Sequence, residues 1–121
     1  MSEFIYENMS DKEILMEFLQ MKGITKVRLN EKDLELFYAL SEYGILYAED
    51  ASRILNESAA GKRRMRLKLF NILDGKRGIV YLGSLGREML LELNYKPYFV
   101  KEEDKVTEKN NNILANRYRN V

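Results

Sequence analysis

The stretch Gly61–Leu82, "GKRRMRLKLFNILDGKRGIVYL", decides how the whole chain is read. Lys62, Arg63, Arg64, Arg66 and Lys68 put five of the chain's 20 Lys and Arg within seven residues. Met65, Leu69, Ile72 and Leu73 would fit one helical face, yet "RLKL" alternates like a strand and a second strand signal follows closely. The pattern is therefore read as a basic helix to about Lys68 and then a strand through Leu73. "DGKRG" (Asp74–Gly78) has the composition of a turn, and "IVYL" (Ile79–Leu82) is β-branched and aromatic, as strands are. Two short strands about a Gly-rich basic turn predict a hairpin.

Helices are expected on both sides of this unit. "MSDKEILMEFLQMKG" has both ends marked: Ser10 and Glu13 make a capping box, and Gly23 can take the left-handed closing position. Ile14, Leu15, Phe18 and Leu19 form one apolar stripe. "ITKVRL" (Ile24–Leu29) alternates as a short strand or extended arm does. Asn30 caps "EKDLELFYALSEYG", which ends at Gly44. Its apolar surface, Leu34, Phe37, Tyr38, Leu40 and Ser41, is too wide for a solvated helix and predicts a central position. A shorter helix spans about Ala48 to Leu55, with acids in its first turn where the dipole favours them. After the hairpin, Ser84 is expected to cap "LGREMLLELN", with Leu85, Met89, Leu90 and Leu93 inward. Pro97 breaks the pattern, and the Asn-rich remainder carries Ile113, Leu114 and Tyr118 at the spacing of a weak amphipathic helix.

Composition excludes much else. With 121 residues the chain fits one domain. No run of apolar residues is long enough to span a membrane, and the acidic beginning "MSEFIYENMSDKE" is unlike a secretory signal. These features point to the cytoplasm. Cys and His are both absent, which removes disulfides, thiolate metal sites, the commonest general base and the usual nucleophile–base sets. No phosphate-cradling glycine motif is present. The expectation is a protein that is not an enzyme, with no metal and no small-molecule cofactor. A net charge of +1 means that any affinity for a polyanion must come from local clustering.

The order helix, short helix, basic helix, hairpin with a basic tip, helix is that of a winged helix-turn-helix, whose third element enters a DNA major groove. Runs such as "GKRRMRLK" are commonly solvated faces; the position of this one favours nucleic acid. Small residues before it (Ser58, Ala59, Ala60, Gly61) allow close approach, and helix N-terminal amides attract phosphate. Wheel positions set Arg63, Arg64 and Leu67 opposite Met65 and Leu69, so that Arg63 and Arg64 are expected to face outward with Lys62 and Arg66 beside them. Lys76 and Arg77 at the hairpin tip supply a second phosphate contact. Six such contacts imply a salt slope of about −5. Arginine can also pair with guanine edges. An outward Leu67 needs a thymine methyl or a partner surface. Tyr38, Tyr43 and Tyr47 are read as core packing rather than a base-stacking platform, and the methionines as gap-fillers of an apolar interior.

"LNEKDLELFYALSEYGILYAEDASRIL", the basic helix and "VYLGSLGREML" together resemble the N-terminal winged-helix region of the replication-relaxation family of Gram-positive plasmids, phages and mobile elements. The resemblance covers about residues 29–94 and implies DNA binding in plasmid replication and DNA relaxation. The family's tyrosine-leucine-threonine-x-x-glycine motif stands here as Tyr81, Leu82, Gly83, Ser84, Leu85 and Gly86. Gly83 replaces the threonine, which passes the cap to Ser84; Tyr47 stands in place of a Thr cap; and the short segment before the tyrosine strand implies a reduced wing. MarR-like and PadR-like regulators and plasmid-partition adaptors share the outline.

The expected fold is mostly α with a small β-hairpin: an N-terminal helix and arm (1–28), a winged helix-turn-helix (29–95) and a polar C-terminal segment (96–121). The expected function is sequence-specific binding of double-stranded DNA in replication, partition or transcription control. A homodimer, paired through Ile14, Leu15, Phe18 and Leu19 or the segment after Leu93, would read half-sites about one helical turn apart. The alternative is a winged-helix protein-interaction module or anti-repressor that docks an acidic partner through the basic helix, with Leu67 as anchor.

Overall fold

The computed structural model describes residues 8–56, 60–75, 78–95 and 108–120. Among these, six helices surround a small antiparallel sheet: α1 (Asp11–Met21), α2 (Glu31–Tyr43), β1 (Ile45–Tyr47), α3 (Ala48–Leu55), α4 (Ala60–Leu69), β2 (Leu73–Asp74), β3 (Ile79–Leu82), α5 (Ser84–Glu92) and α6 (Glu108–Arg119). The architecture is mostly helical and compatible with a winged-helix-like α/β fold. None of the described helices is long and apolar enough to cross a membrane.

Side-chain caps start the first two helices. Ser10 accepts from the Glu13 N–H while the Glu13 carboxylate accepts from the Ser10 N–H, and these bonds hold the Glu13 carboxyl below its ordinary pKa. Asn30 and Asp33 make the same reciprocal pair at α2. Three helices close alike, on a left-handed residue whose N–H and whose successor's N–H reach back to the last turn. Gly23 closes α1, Asn71 closes α4 and Asn94 closes α5. At α4 the Ile72 N–H donates to the Leu67 carbonyl at 3.0 Å, and both side chains are buried. The helix therefore ends in a tight turn where the sequence suggested a strand, and only Leu73–Asp74 remain as β2.

The sheet has strand order β1-β3-β2. β1 pairs with β3 in the register Ile45↔Tyr81, Leu46↔Val80, Tyr47↔Ile79, and Leu73↔Leu82 joins β2 to β3. Alternation along the strands splits the side chains between two faces. Leu46, Leu73, Val80 and Leu82 enter the main core with Leu36, Phe37, Leu40 and Met89. Ile45, Ile79 and Tyr81 meet Ala115 and Leu114 of α6 on the other face. Every residue of "IVYL" is buried for this reason. α2 is central, as expected, touching α3, α5, α6 and the sheet.

Several expectations change. β1 was not foreseen; it forms because Ile45–Tyr47 find β3, far away in sequence. "ITKVRL" is no strand: the segment is irregular, with Val27 and Leu29 buried beneath it. Ile14, Leu15, Phe18 and Leu19 are not a pairing surface, since they are buried within the chain's own core, where α1 packs on α5. Met21 and Met65 are exposed, not interior; Met89 is interior.

Ser84 does not cap α5. Gly83 holds the N-cap position with no side-chain bond, and the Asn71 carbonyl instead accepts the Leu85 N–H at 3.0 Å. That close approach excludes larger residues: a Cβ on Gly83 would lie 2.2 Å from the Asn71 oxygen, and one on Gly86 2.1 Å from the Ile72 oxygen. Gly86→Ala is expected to cost about 1–3 kcal/mol. Urea unfolding checks this as a lower midpoint at unchanged slope.

Candidate nucleic-acid interface

What lies beneath α4 determines which of its side chains meet solvent. Leu67 is fully buried and Ala60 nearly so, both in the main core with Ala51, Leu55 and Ile72. Burying positions 60 and 67 turns positions 62, 65 and 69 outward, given 3.6 residues per turn. Met65 and Leu69 are indeed 67% and 79% exposed, and Gly61, Lys62, Arg66 and Lys68 are exposed as well. The helix therefore sits about half a turn from the expected orientation. Leu67 points inward, not outward, and small Ala60 serves core packing rather than approach to a ligand.

Arg63 also points inward. Its Nε donates to Asp33 Oδ1 at 3.0 Å, and its Nη2 donates to Asp33 Oδ2 and to the Arg28 carbonyl. Asp33 is fully buried and also accepts the Asn30 N–H at 2.9 Å. A carboxylate removed from water needs a cation and hydrogen bonds to remain ionised, and a guanidinium fork supplies both. Arg63 is thus committed to the fold and not to the outer face. Arg64 is half-buried on the flank, its Nε donating to Ser52 Oγ at 3.0 Å.

The remaining bases frame the outer arc. On one flank Arg66 Nη2 donates to the Lys26 carbonyl at 2.8 Å, which holds the irregular 24–29 segment, with exposed Lys26 and Arg28, alongside α4. On the other flank Lys68 Nζ donates to the Gly75 carbonyl at 2.9 Å, tying α4 to the β2–β3 turn. A cleft of about 200 Å³ separates helix and turn, lined by Arg64, Met65, Lys68, Gly75 and Gly78. Ser58, Lys76 and Arg77, singled out from the sequence, lie outside the described residues.

Several bases elsewhere are engaged by acids. Lys12 pairs with Glu31, Lys22 with Glu88 and Lys32 with Glu35. Asp50, 3% exposed, accepts from Arg53 at 2.9 Å and from Arg119 Nε at 2.8 Å. The Asp50 bond raises the Arg119 pKa further, and the guanidinium lies 4.1 Å over the Tyr47 ring. By contrast, Lys26, Lys62, Arg64, Arg66 and Lys68 make no ion pair with a carboxylate among the described residues. The missed members of this surface are Lys26, Met65, Lys68 and Leu69; the alternating "ITKVRL" gave no sign that its bases lie beside α4.

Tyr38 and Tyr43 are engaged within the fold. Tyr43 meets Tyr118 edge-on at 5.4 Å, and Tyr38 donates to Asp11. Burial, then that bond, pushes the Tyr38 hydroxyl well above its ordinary pKa of 10.0. No group of three or more His, Cys, Asp or Glu that could hold a metal occurs among the described residues. The chain matches no protein-family model, no curated protein and no solved structure.

Proposed function

We propose that the protein binds double-stranded DNA as a winged helix-turn-helix. In this reading α3 and α4 form the helix-turn-helix, α4 is the helix offered to the major groove, and the β2–β3 turn is a short wing against the backbone. One observation carries it: the outward arc of α4 bears Lys62, Arg66 and Lys68, exposed and without acidic partners among the described residues, whereas Lys12, Lys22, Lys32, Arg53 and Arg119 are matched by carboxylates. Unneutralised cations on a rod beside a second strip of bases complement a phosphate backbone. The resemblance to the replication-relaxation family directs the search for the physiological site to plasmid and phage replication origins and promoters. A homodimer belongs to the same reading, paired elsewhere than through the α1 stripe.

The competing reading, a docked acidic protein anchored by Leu67, loses its anchor to the core. The test is a charge reversal. The wild-type protein is expected to bind a short random-sequence duplex with a Kd of about 10⁻⁶–10⁻⁴ M near physiological salt. The Lys62→Glu/Arg66→Glu variant is expected to bind no duplex at the same salt; the Arg66 bond to the Lys26 carbonyl is exposed, so its loss lowers the melting temperature only slightly. Equal binding by variant and wild type would remove α4 from the interface.

A further inference from the structure

Two large apolar side chains stand among the bases of α4, where water solvates them poorly. Met65 and Leu69 lie one turn apart on the same stripe, 67% and 79% exposed. Lys62 precedes Met65 by one turn, Arg66 stands toward the 24–29 segment and Lys68 toward the β2–β3 turn. No described element covers the stripe, whereas Leu67, the other leucine of α4, is wholly internal. Among the described residues, then, nothing packs on the apolar groups at 65 and 69. An occupant must accept cations that have no carboxylate partner among the described residues and still offer apolar surface at its centre. Duplex DNA satisfies both demands: its backbone is a polyanion, and the thymine C5-methyl is the apolar group that a base edge shows in the major groove. An acidic protein with an apolar centre would meet the same two demands; the placement of α4 as the second helix of a helix pair, with bases on both flanks, favours the duplex.

We infer that Met65 and Leu69 read thymine methyls, so that the protein selects sites with thymines under α4. The inference rests on the duplex binding proposed above. Lys62, Arg66 and Lys68 hold the helix to the backbone whatever the sequence, and the two apolar residues discriminate by excluding water from the methyl groups.

The test compares alternating poly(dA-dT) with alternating poly(dA-dU), which differ chemically in that methyl alone. Titration at one fixed salt concentration is expected to show tighter binding to poly(dA-dT), by about fourfold for each methyl buried, from the transfer free energy of one such carbon. The Met65→Ala/Leu69→Ala variant is expected to bind both polymers equally, at the wild-type affinity for poly(dA-dU), with an unchanged melting temperature. Equal wild-type binding to the two polymers overturns the methyl reading and leaves duplex binding intact. A preference that survives in the double variant assigns the discrimination to duplex shape and overturns the role of these residues. Failure to bind either polymer overturns both readings and is the result that a protein-docking face would give.

Discussion

Replacing Arg63 by alanine is expected to destabilise the protein by about 3–5 kcal/mol, because it strands the buried Asp33 carboxylate without its cation. For a chain of this size the melting temperature falls on the order of 10 °C or more. The loss has a diagnostic second half. Asp33 also takes part in the α2 capping box, so Asp33→Asn alone weakens both the cap and the Arg63 pair. In the Arg63→Ala background, however, the same change recovers part of the stability, since a neutral amide costs less to bury than an unpaired carboxylate. A double-mutant cycle by thermal melting measures this coupling directly. An Arg63→Ala protein that melts like the wild type and has lost only DNA binding would restore the outward orientation of this arginine.

Leu67→Ala carries the second large effect, about 2–5 kcal/mol, for a fully buried leucine at the centre of the α4 contact with α3 and β2. Met65→Ala and Leu69→Ala, on the exposed stripe, stay within about 0.5 kcal/mol. The contrast is steep because all three residues are large and apolar and lie within five positions of one helix, so propensity differs little between them. Urea unfolding separates them by midpoint. A Leu67→Ala midpoint close to that of Met65→Ala would mean that α4 is rotated from the orientation described.

The orientation of α4 was the least legible feature of the sequence, for a physical reason. A wheel fixes relative angles along one helix but not which side meets the core, and α4 has apolar residues on two arcs: Ala60 and Leu67 on one, Met65 and Leu69 on the other. The partner that decides between them, Asp33, lies thirty positions earlier. A signal did exist. Asp33 falls on the same stripe as Phe37 and Leu40 of α2, and an acid on a buried stripe demands a cation from elsewhere.

Local chemistry is more legible in the sequence. The Ser10–Glu13 box, the Asn30 cap and the closing glycines at 23 and 44 rest on near neighbours and appear as expected, and the Ile79–Leu82 strand appears within its expected bounds although its partner β1 is distant. Features made by distant partners did not show. β1 exists only through β3, the α5 N-terminus is capped by a carbonyl from the α4–β2 turn, and Lys26 joins the basic surface only because Arg66 holds its backbone.

Salt titration of duplex affinity tests most directly whether the bases around α4, which lack carboxylate partners among the described residues, meet phosphate. With Lys26, Lys62, Arg64, Arg66 and Lys68 each neutralising one phosphate, the logarithm of the association constant should fall with the logarithm of salt concentration at a slope between about −4 and −5. Lys62→Ala/Arg66→Ala should flatten it by about 2 to 3, the larger value where loss of the Arg66 bond also frees Lys26. A slope near zero, or the same slope in wild type and variant, would contradict a phosphate-facing α4.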